Sequence, residues 1–216
     1  LNKVLFLDEL PEFSRDAREA LRQPMEDGVV SISRANSKVT YPSYFMLVAS
    51  MNPCPCGYFG SPDRKCKCSP NQITNYINKI SGPFLDRMDL NVEMSNIRYD
   101  EMTSREPGEK SVVVKSRVNA ARQLQLERYK NLPIHCNAQL NATSLKKYAK
   151  PGGEAQVFLK KAFEKLKLSP RSYVRILMVS RTIADLSGSE DIRIEHIAEA
   201  VQYRTLERKY WGAEDE

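Results

Sequence analysis

The sequence predicts an α/β protein, a small sheet core followed by an α-helical bundle, and three observations predict it. Short apolar runs, VLFL at 4–7 and FMLVA at 45–49, are each closed by polar, turn-compatible residues, as the strands of a buried sheet are. Two β-branched runs, VVSIS and KVTY, flank the polar stretch RANS, which is the grammar of a β-hairpin. Beyond residue 111 the apolar residues recur at the three-and-four spacing of helices.

In chain order, Val4 to Leu7 reads as a strand buried on both faces that leaves Asp8 and Glu9 at the carboxyl end of a sheet. SRDAREALRQPMEDG follows as one helix, with Ser14 as N-cap, Ala17, Leu21 and Met25 on one face, and Gly28 as its stop. After the hairpin, Phe45 to Ala49 reads as a second buried strand closed by SMNP. A cysteine-rich stretch occupies 54–68, NQITNYINKI suits a short helix, and LNVEM at 90–94 suits a further strand. The polar run with EPGEK at its centre is the boundary. We place the sheet core at 1–97, a linker at 98–111 and the helical region at 112–216.

Four helices are expected in that last region. Val114, Val118, Ala121 and Leu124 mark the first, and Ala155, Phe158, Leu159, Ala162, Phe163 and Leu166 the second, with Lys160, Lys161 and Lys165 toward solvent. The third begins at Ser169 and Pro170, a cap with proline at the first turn, and runs to Leu186 before Gly188. The fourth carries Ile194, Ile197, Ala198 and Val201. His196 reads as a surface residue, and Cys136, beside His135, as a packing one.

Composition narrows the class. No stretch approaches the roughly 20 consecutive apolar residues that cross a bilayer, and there is no charged-then-apolar leader, so a cytoplasmic protein without membrane contact is expected. The first residue is Leu1, which reads as the start of a piece of a longer polypeptide. Lysine and arginine exceed aspartate and glutamate by 33 to 27, a net +6, and the terminal GAEDE is itself acidic, so the body is more basic still. That balance suits a polyanionic partner such as nucleic acid.

Phosphoryl transfer needs a carboxylate to hold magnesium, a group to orient the attacking water, and cations for the transferred charge. Asp8 and Glu9 suit the first two, because a strand end can aim adjacent carboxylates at a phosphate site without burying them unpaired. Alone, the pair reads more readily as a solvated strand terminus. Three further signals follow it in order: a second strand ending near the polar Asn52, the segment SGPFLDRMDL, and the arginine-bearing SPRSYVRIL.

VLFLDELPEF, LVASMNPCPCG, SGPFLDRMDL and SPRSYVRILMVSRTIADLSG together resemble the second half of the magnesium-chelatase-like AAA+ ATPases of the ComM/YifB family, over nearly the whole chain. The resemblance implies a partial AAA+ P-loop NTPase sheet core followed by an α-helical lid and C-terminal bundle. It assigns Asp8 to the magnesium-organising Walker B aspartate, Glu9 to the glutamate that polarises water, and Asn52 to sensor 1. Arg87 falls at the arginine-finger position, reaching a neighbouring subunit's nucleotide. Arg171 falls at sensor 2, with Arg175, one turn on, as its rival. The pattern G-x-x-x-x-G-K-[ST] occurs nowhere in the chain, so this piece is expected not to bind ATP normally. The resemblance places that phosphate loop and a Lon-like domain upstream.

The hairpin puts Arg34 at the entry of its turn and Lys38 at the exit, with Asn36 between. In the proteins it resembles such a hairpin points into the pore of a ring and grips DNA, and two cations at a tip suffice for phosphate contacts. Cys54, Cys56, Cys66 and Cys68, two C-x-C pairs, can converge on a zinc ion, with Arg64, Lys65 and Lys67 offsetting the thiolate charge. The ordinary reading is a surface loop of reduced thiols.

One function is thereby expected, with two alternatives to it. The expected function is a ring-forming, hexameric ATP- and magnesium-dependent motor that moves DNA in branch migration during homologous recombination and natural transformation. The first alternative is a magnesium-chelatase subunit driving metal insertion into a porphyrin. The second is a zinc-stabilised DNA-binding or assembly module without turnover.

Overall fold

A computed structural model describes residues 3–34, 37–94, 97, 99, 103 and 108–211, the side chains of 34, 37 and 205–211 excepted. It is a mixed α/β structure of small sheets and many helices, divided into a first compact unit ending at Met88 and a second beginning at Asp89.

In the first unit, β1 (Lys3–Leu7) pairs in parallel with β4 (Phe45–Ala49), Leu7 lying opposite Ala49. The chain between them forms α1 (Arg15–Ala20), α2 (Arg22–Asp27) and the antiparallel hairpin β2 (Val29–Arg34) and β3 (Ser37–Pro42). The expected single helix after Ser14 is thus two. Pro24 has no N–H to donate to the carbonyl of Ala20, so the ladder breaks at Leu21. Gly28 ends α2 with φ +65°, and a Cβ there would lie 2.3 Å from the Tyr44 ring. Helices α3 (Pro70–Ile77), under a Ser69–Gln72 capping box, and α4 (Gly82–Leu85) follow. Buried side chains of this unit include Leu10, Tyr76, Ile77, Ile80, Phe84 and Leu85.

The expectation that β1 and β4 are buried on both faces is corrected. Phe6 is 60% exposed, and Val4, Met46 and Val48 beside it are exposed as well. The register pairs Val4 with Met46 and Phe6 with Val48, so these four share one uncovered face of a two-stranded sheet. Nor is 90–94 a strand: the Asn91 N–H donates to the Tyr203 carbonyl at 3.0 Å, satisfying on a helix what a sheet edge would otherwise supply.

The second unit packs α5 (Ser111–Arg128), α6 (Ala142–Tyr148), α7 (Gly153–Lys165), α8 (Pro170–Leu186) and α9 (Ile194–Trp211). One core joins Tyr129, Leu145, Leu159, Ile176, Ile192 and Ile197 with their neighbours. Leu159 is 2% exposed, and Lys160, Lys161 and Lys165 face water as expected. Ser169 caps α8 by accepting the Ser172 N–H. In α5 the expected stripe is corrected: Val114, Val118 and Leu124 are exposed, and the buried positions are Ala121, Gln125 and Tyr129, spaced by four. Residue type misled there, because Gln125 is held by polar partners, Arg122 and the Asn137 N–H. The helix α6 had no apolar period to announce it; its signal is the Asn141–Ser144 capping box.

Beneath α5 and α8 lies an ionic network. Asp185, with a fully buried side chain, accepts from Arg128 Nη1 at 2.9 Å, Arg181 Nε at 3.1 Å and Asn137 Nδ2 at 2.8 Å. Tyr129 donates its hydroxyl to Asn137 at 2.7 Å. His196 is buried too, against expectation. Its Nδ1 accepts the Arg193 N–H at 3.0 Å and its Nε2 lies 3.1 Å from Ser187 Oγ, so it closes the start of α9.

Candidate functional site

Parallel pairing brings two loops to one sheet edge. Ser50, directly after β4, donates its N–H to the Leu7 carbonyl at 2.9 Å and accepts the Leu10 N–H on its own carbonyl at 2.9 Å. Its hydroxyl accepts the Glu9 N–H at 3.2 Å and donates to the Asp8 carboxylate. Glu9 itself adopts a left-handed backbone, φ 51° and ψ 51°, before the 3-10 turn Leu10–Glu12. A non-glycine residue held there carries a local cost, of the kind that clusters at functional sites.

Glu9 and Asn52 line one open pocket of about 420 Å³ with Glu12, Gln72, Tyr76 and Lys79. Lys79 Nζ lies 2.9 Å from Glu12 Oε1 and above the Tyr76 ring. Burial raises the Tyr76 phenol above its ordinary value, opposed by a hydrogen bond with the Asn52 main chain. Tyr76 thereby ties α3 to the loop that carries Asn52. Carboxylates, an amide and an ammonium around one water-accessible recess can hold a cation and orient a water beside an anion.

Glu9 and Asn52 are therefore brought to one recess, whereas Asp8, just after β1 and bonded to Ser50, does not line it. Arg87 is held elsewhere on this unit: its side chain is 9% exposed, pairs with Glu26 and donates to the Pro83 carbonyl. Its Nε is buried without a hydrogen-bond partner. In the second unit, Arg171 is exposed in the first turn of α8, whereas Arg175 is tied to Asp89 at 3.0 Å.

The hairpin forms as its sequence predicts, with Arg34 paired to Ser37 at the last described step of the ladder and Lys38 exposed opposite Ser33. Asn36 lies outside the described residues.

Cys54, Cys56, Cys66 and Cys68 converge, all four sulfurs lying within 4.8 Å of one another. Cys54 Sγ is 3.4 Å from Cys56 and 3.7 Å from Cys66, and Cys56 is 3.6 Å from Cys66. A tetrahedron with metal–sulfur arms of about 2.3 Å has edges of about 3.8 Å, so the four thiols fit a zinc-sized ion. Main-chain hydrogen bonds from Lys67 and Tyr58 lower the Cys56 thiol to about 6, while burial pushes Cys68 up to about 12. Arg64 stacks over Tyr58 at 4.3 Å and donates to its hydroxyl at 2.8 Å, bracing the loop.

Sequence reasoning missed Ser50, Tyr76 and Lys79. A serine after a strand is ordinary turn chemistry. The helical period of NQITNYINKI could have found the other two, since it sets Gln72, Tyr76 and Lys79 on one side of α3 and the turn after it.

Comparison with known proteins adds the following. Residues 1–102 match the family described as magnesium chelatase, subunit ChlI, and residues 108–204 match magnesium chelatase, subunit ChlI C-terminal. The chain is 46% identical over 208 residues to the competence protein ComM of Haemophilus influenzae, covering 96% of this chain and 40% of that protein. It is 44% identical over 210 residues to YifB of Escherichia coli and 42% identical over 209 residues to YifB of Salmonella typhimurium. In both cases the match covers 96% of this chain and 40% of the relative. The chain thus spans about 40% of the length of these relatives. Among the described residues, no helix is long and apolar enough to cross a membrane.

Proposed function

This chain belongs to the magnesium chelatase ChlI family, and from that premise we propose that it is the Walker B-to-lid portion of a ComM-like AAA+ motor. The complete protein is a cytoplasmic ring, a hexamer, that hydrolyses ATP while moving DNA in branch migration. One observation supports the reading: the parallel register of β1 and β4, which brings Asp8 to Ser50 while Glu9 shares a recess with Asn52.

In this scheme ATP with its magnesium supplies the transferable phosphoryl group and the charge that organises the pocket. Asp8 would hold the magnesium ion, which would supply positive charge beside the phosphates. Glu9 accepts a hydrogen bond from the attacking water, and the Asn52 amide holds that water in line. Arg87 of one protomer serves the site of the next, which requires that it leave Glu26. Arg171, exposed in the first turn of α8, serves as the lid cation. Without G-x-x-x-x-G-K-[ST], the chain by itself does not hold ATP. The exposed apolar face of β1 and β4 suits coverage by the rest of the longer polypeptide. Arg34 and Lys38 contact DNA phosphates at the hairpin tip, and the four cysteines hold one structural zinc.

The test is Glu9→Gln in the full-length protein. ATP turnover should fall by about 100-fold or more while nucleotide affinity stays within about threefold. Unchanged turnover removes Glu9 from this role. Stimulation of the parent ATPase by DNA distinguishes the motor from a second reading, a magnesium-chelatase subunit, which the description of the matched family favours.

A further inference from the structure

We propose that Ser50 is a positioning residue that fixes the Asp8–Glu9 carboxylate pair in its working geometry, an inference that rests on the ATP-hydrolysing reading of the same site. The order of motifs does not single out this serine. Four hydrogen bonds join it to residues 7–10, and they are of two kinds. The two main-chain bonds, to Leu7 and from Leu10, continue the β1–β4 ladder past its end and do not depend on the side chain. The hydroxyl does something the ladder cannot: it receives the Glu9 N–H while donating to the Asp8 carboxylate. A single oxygen thus grips both members of the pair from the opposite strand.

The left-handed backbone of Glu9 gives that grip its purpose. In an extended conformation Glu9 would continue the alternation of β1. The left-handed turn instead breaks the strand at the pair and sends the chain into the Leu10–Glu12 turn, with the Glu9 carboxylate lining the pocket beside Asn52. A non-glycine residue holds such a conformation only where its surroundings enforce it. The hydrogen bond from the Glu9 N–H to Ser50 Oγ is the side-chain contact that holds it from outside the turn, beside the main-chain bond from Leu10 to Ser50. Asp8 is tethered to the same hydroxyl through one carboxylate oxygen. Because Asn52 lies two residues beyond Ser50, the same clamp sets the distance between the carboxylates and the amide, so movement of the β4 end is transmitted to the pair.

The hydroxyl can be removed without the ladder. In the full-length protein, Ser50→Ala should lower kcat for ATP hydrolysis by about 10- to 100-fold. The KM for ATP should stay within about twofold, and Ser50→Thr, which keeps the hydroxyl, should recover most of the loss. Amide exchange at Glu9 is the second readout: protected in the parent, lost in Ser50→Ala and retained in Ser50→Thr. A kcat within twofold of the parent in Ser50→Ala overturns the inference, as does unchanged Glu9 protection. A parent that hydrolyses no ATP defeats the ATPase reading instead, and the exchange measurement alone then decides whether Ser50 holds the pair.

Discussion

The two units of this chain handle apolar surface in opposite ways. The helical unit closes over its own core, from Leu159 in α7 to Ile197 in α9, and even encloses an aspartate between two arginines. The sheet unit leaves Val4, Phe6, Met46 and Val48 on an open face and gathers its polar groups around a recess. A two-stranded parallel sheet is not a self-sufficient element. The contrast teaches that one unit buries its apolar residues in its own core while the other leaves an apolar sheet face exposed.

The largest effect that would sharpen this contrast is removal of metal. If the cysteine loop draws its order from zinc rather than from a core, stripping the ion removes on the order of 10 kcal/mol of binding free energy. A strong chelator, or Cys66→Ser, should abolish amide protection across residues 54–68 and leave the helical unit's protection intact. Elemental analysis should find one zinc per parent chain; none would leave the loop without that source of order.

Next comes the buried network. Asp185→Ala should destabilise the helical unit by about 3–5 kcal/mol, because it removes the carboxylate paired with both Arg128 and Arg181. Burial pushes the Asp185 carboxyl up, but hydrogen bonds from Arg128 and Asn137 and both arginine charges outweigh it and hold it below its ordinary value. Its contribution is therefore fully present above the unfolded value of about 3.9 and is lost as pH falls through the lower folded value. Acid unfolding followed by circular dichroism should show the parent losing stability only below about pH 4, and Asp185→Ala lacking that step.

The smallest effect separates the two surfaces directly. Leu159→Ala, at a 2% exposed site, should cost about 2–5 kcal/mol. Phe6→Ala, at a 60% exposed site, should change the stability of this chain by about 0.5 kcal/mol or less. Equal costs in denaturant titrations would break the contrast.

How much could be read beforehand follows the same division. Helices α7 and α8 were legible because period, cap and stop agree: Leu159 on the apolar face, Ser169 at the cap, Gly188 at the end. The strands were legible as strands, but their burial was not, since VLFL records what a face is suited to contact and not what covers it. In α5 the valines misled for that reason, while Gln125 was buried by partners no period reveals. At the candidate site the order of motifs pointed to Asp8, Glu9 and Asn52, and the cysteines to one another. Ser50 was invisible because its importance lies in which strand it faces, a fact of register and not of spacing.

One feature of the topology bears on how such a protein can be altered. Among the described residues, everything between β1 and β4 leaves their sheet, and β2 and β3 pair only with each other. The segment 8–44, two helices followed by the hairpin, is thus an excursion between the paired strand ends at Leu7 and Phe45. Residues grafted into the hairpin's tip, whether a fluorophore site, a charge swap or a few extra rungs, lengthen the excursion while the spacing of Asp8 and Ser50 stays as it is.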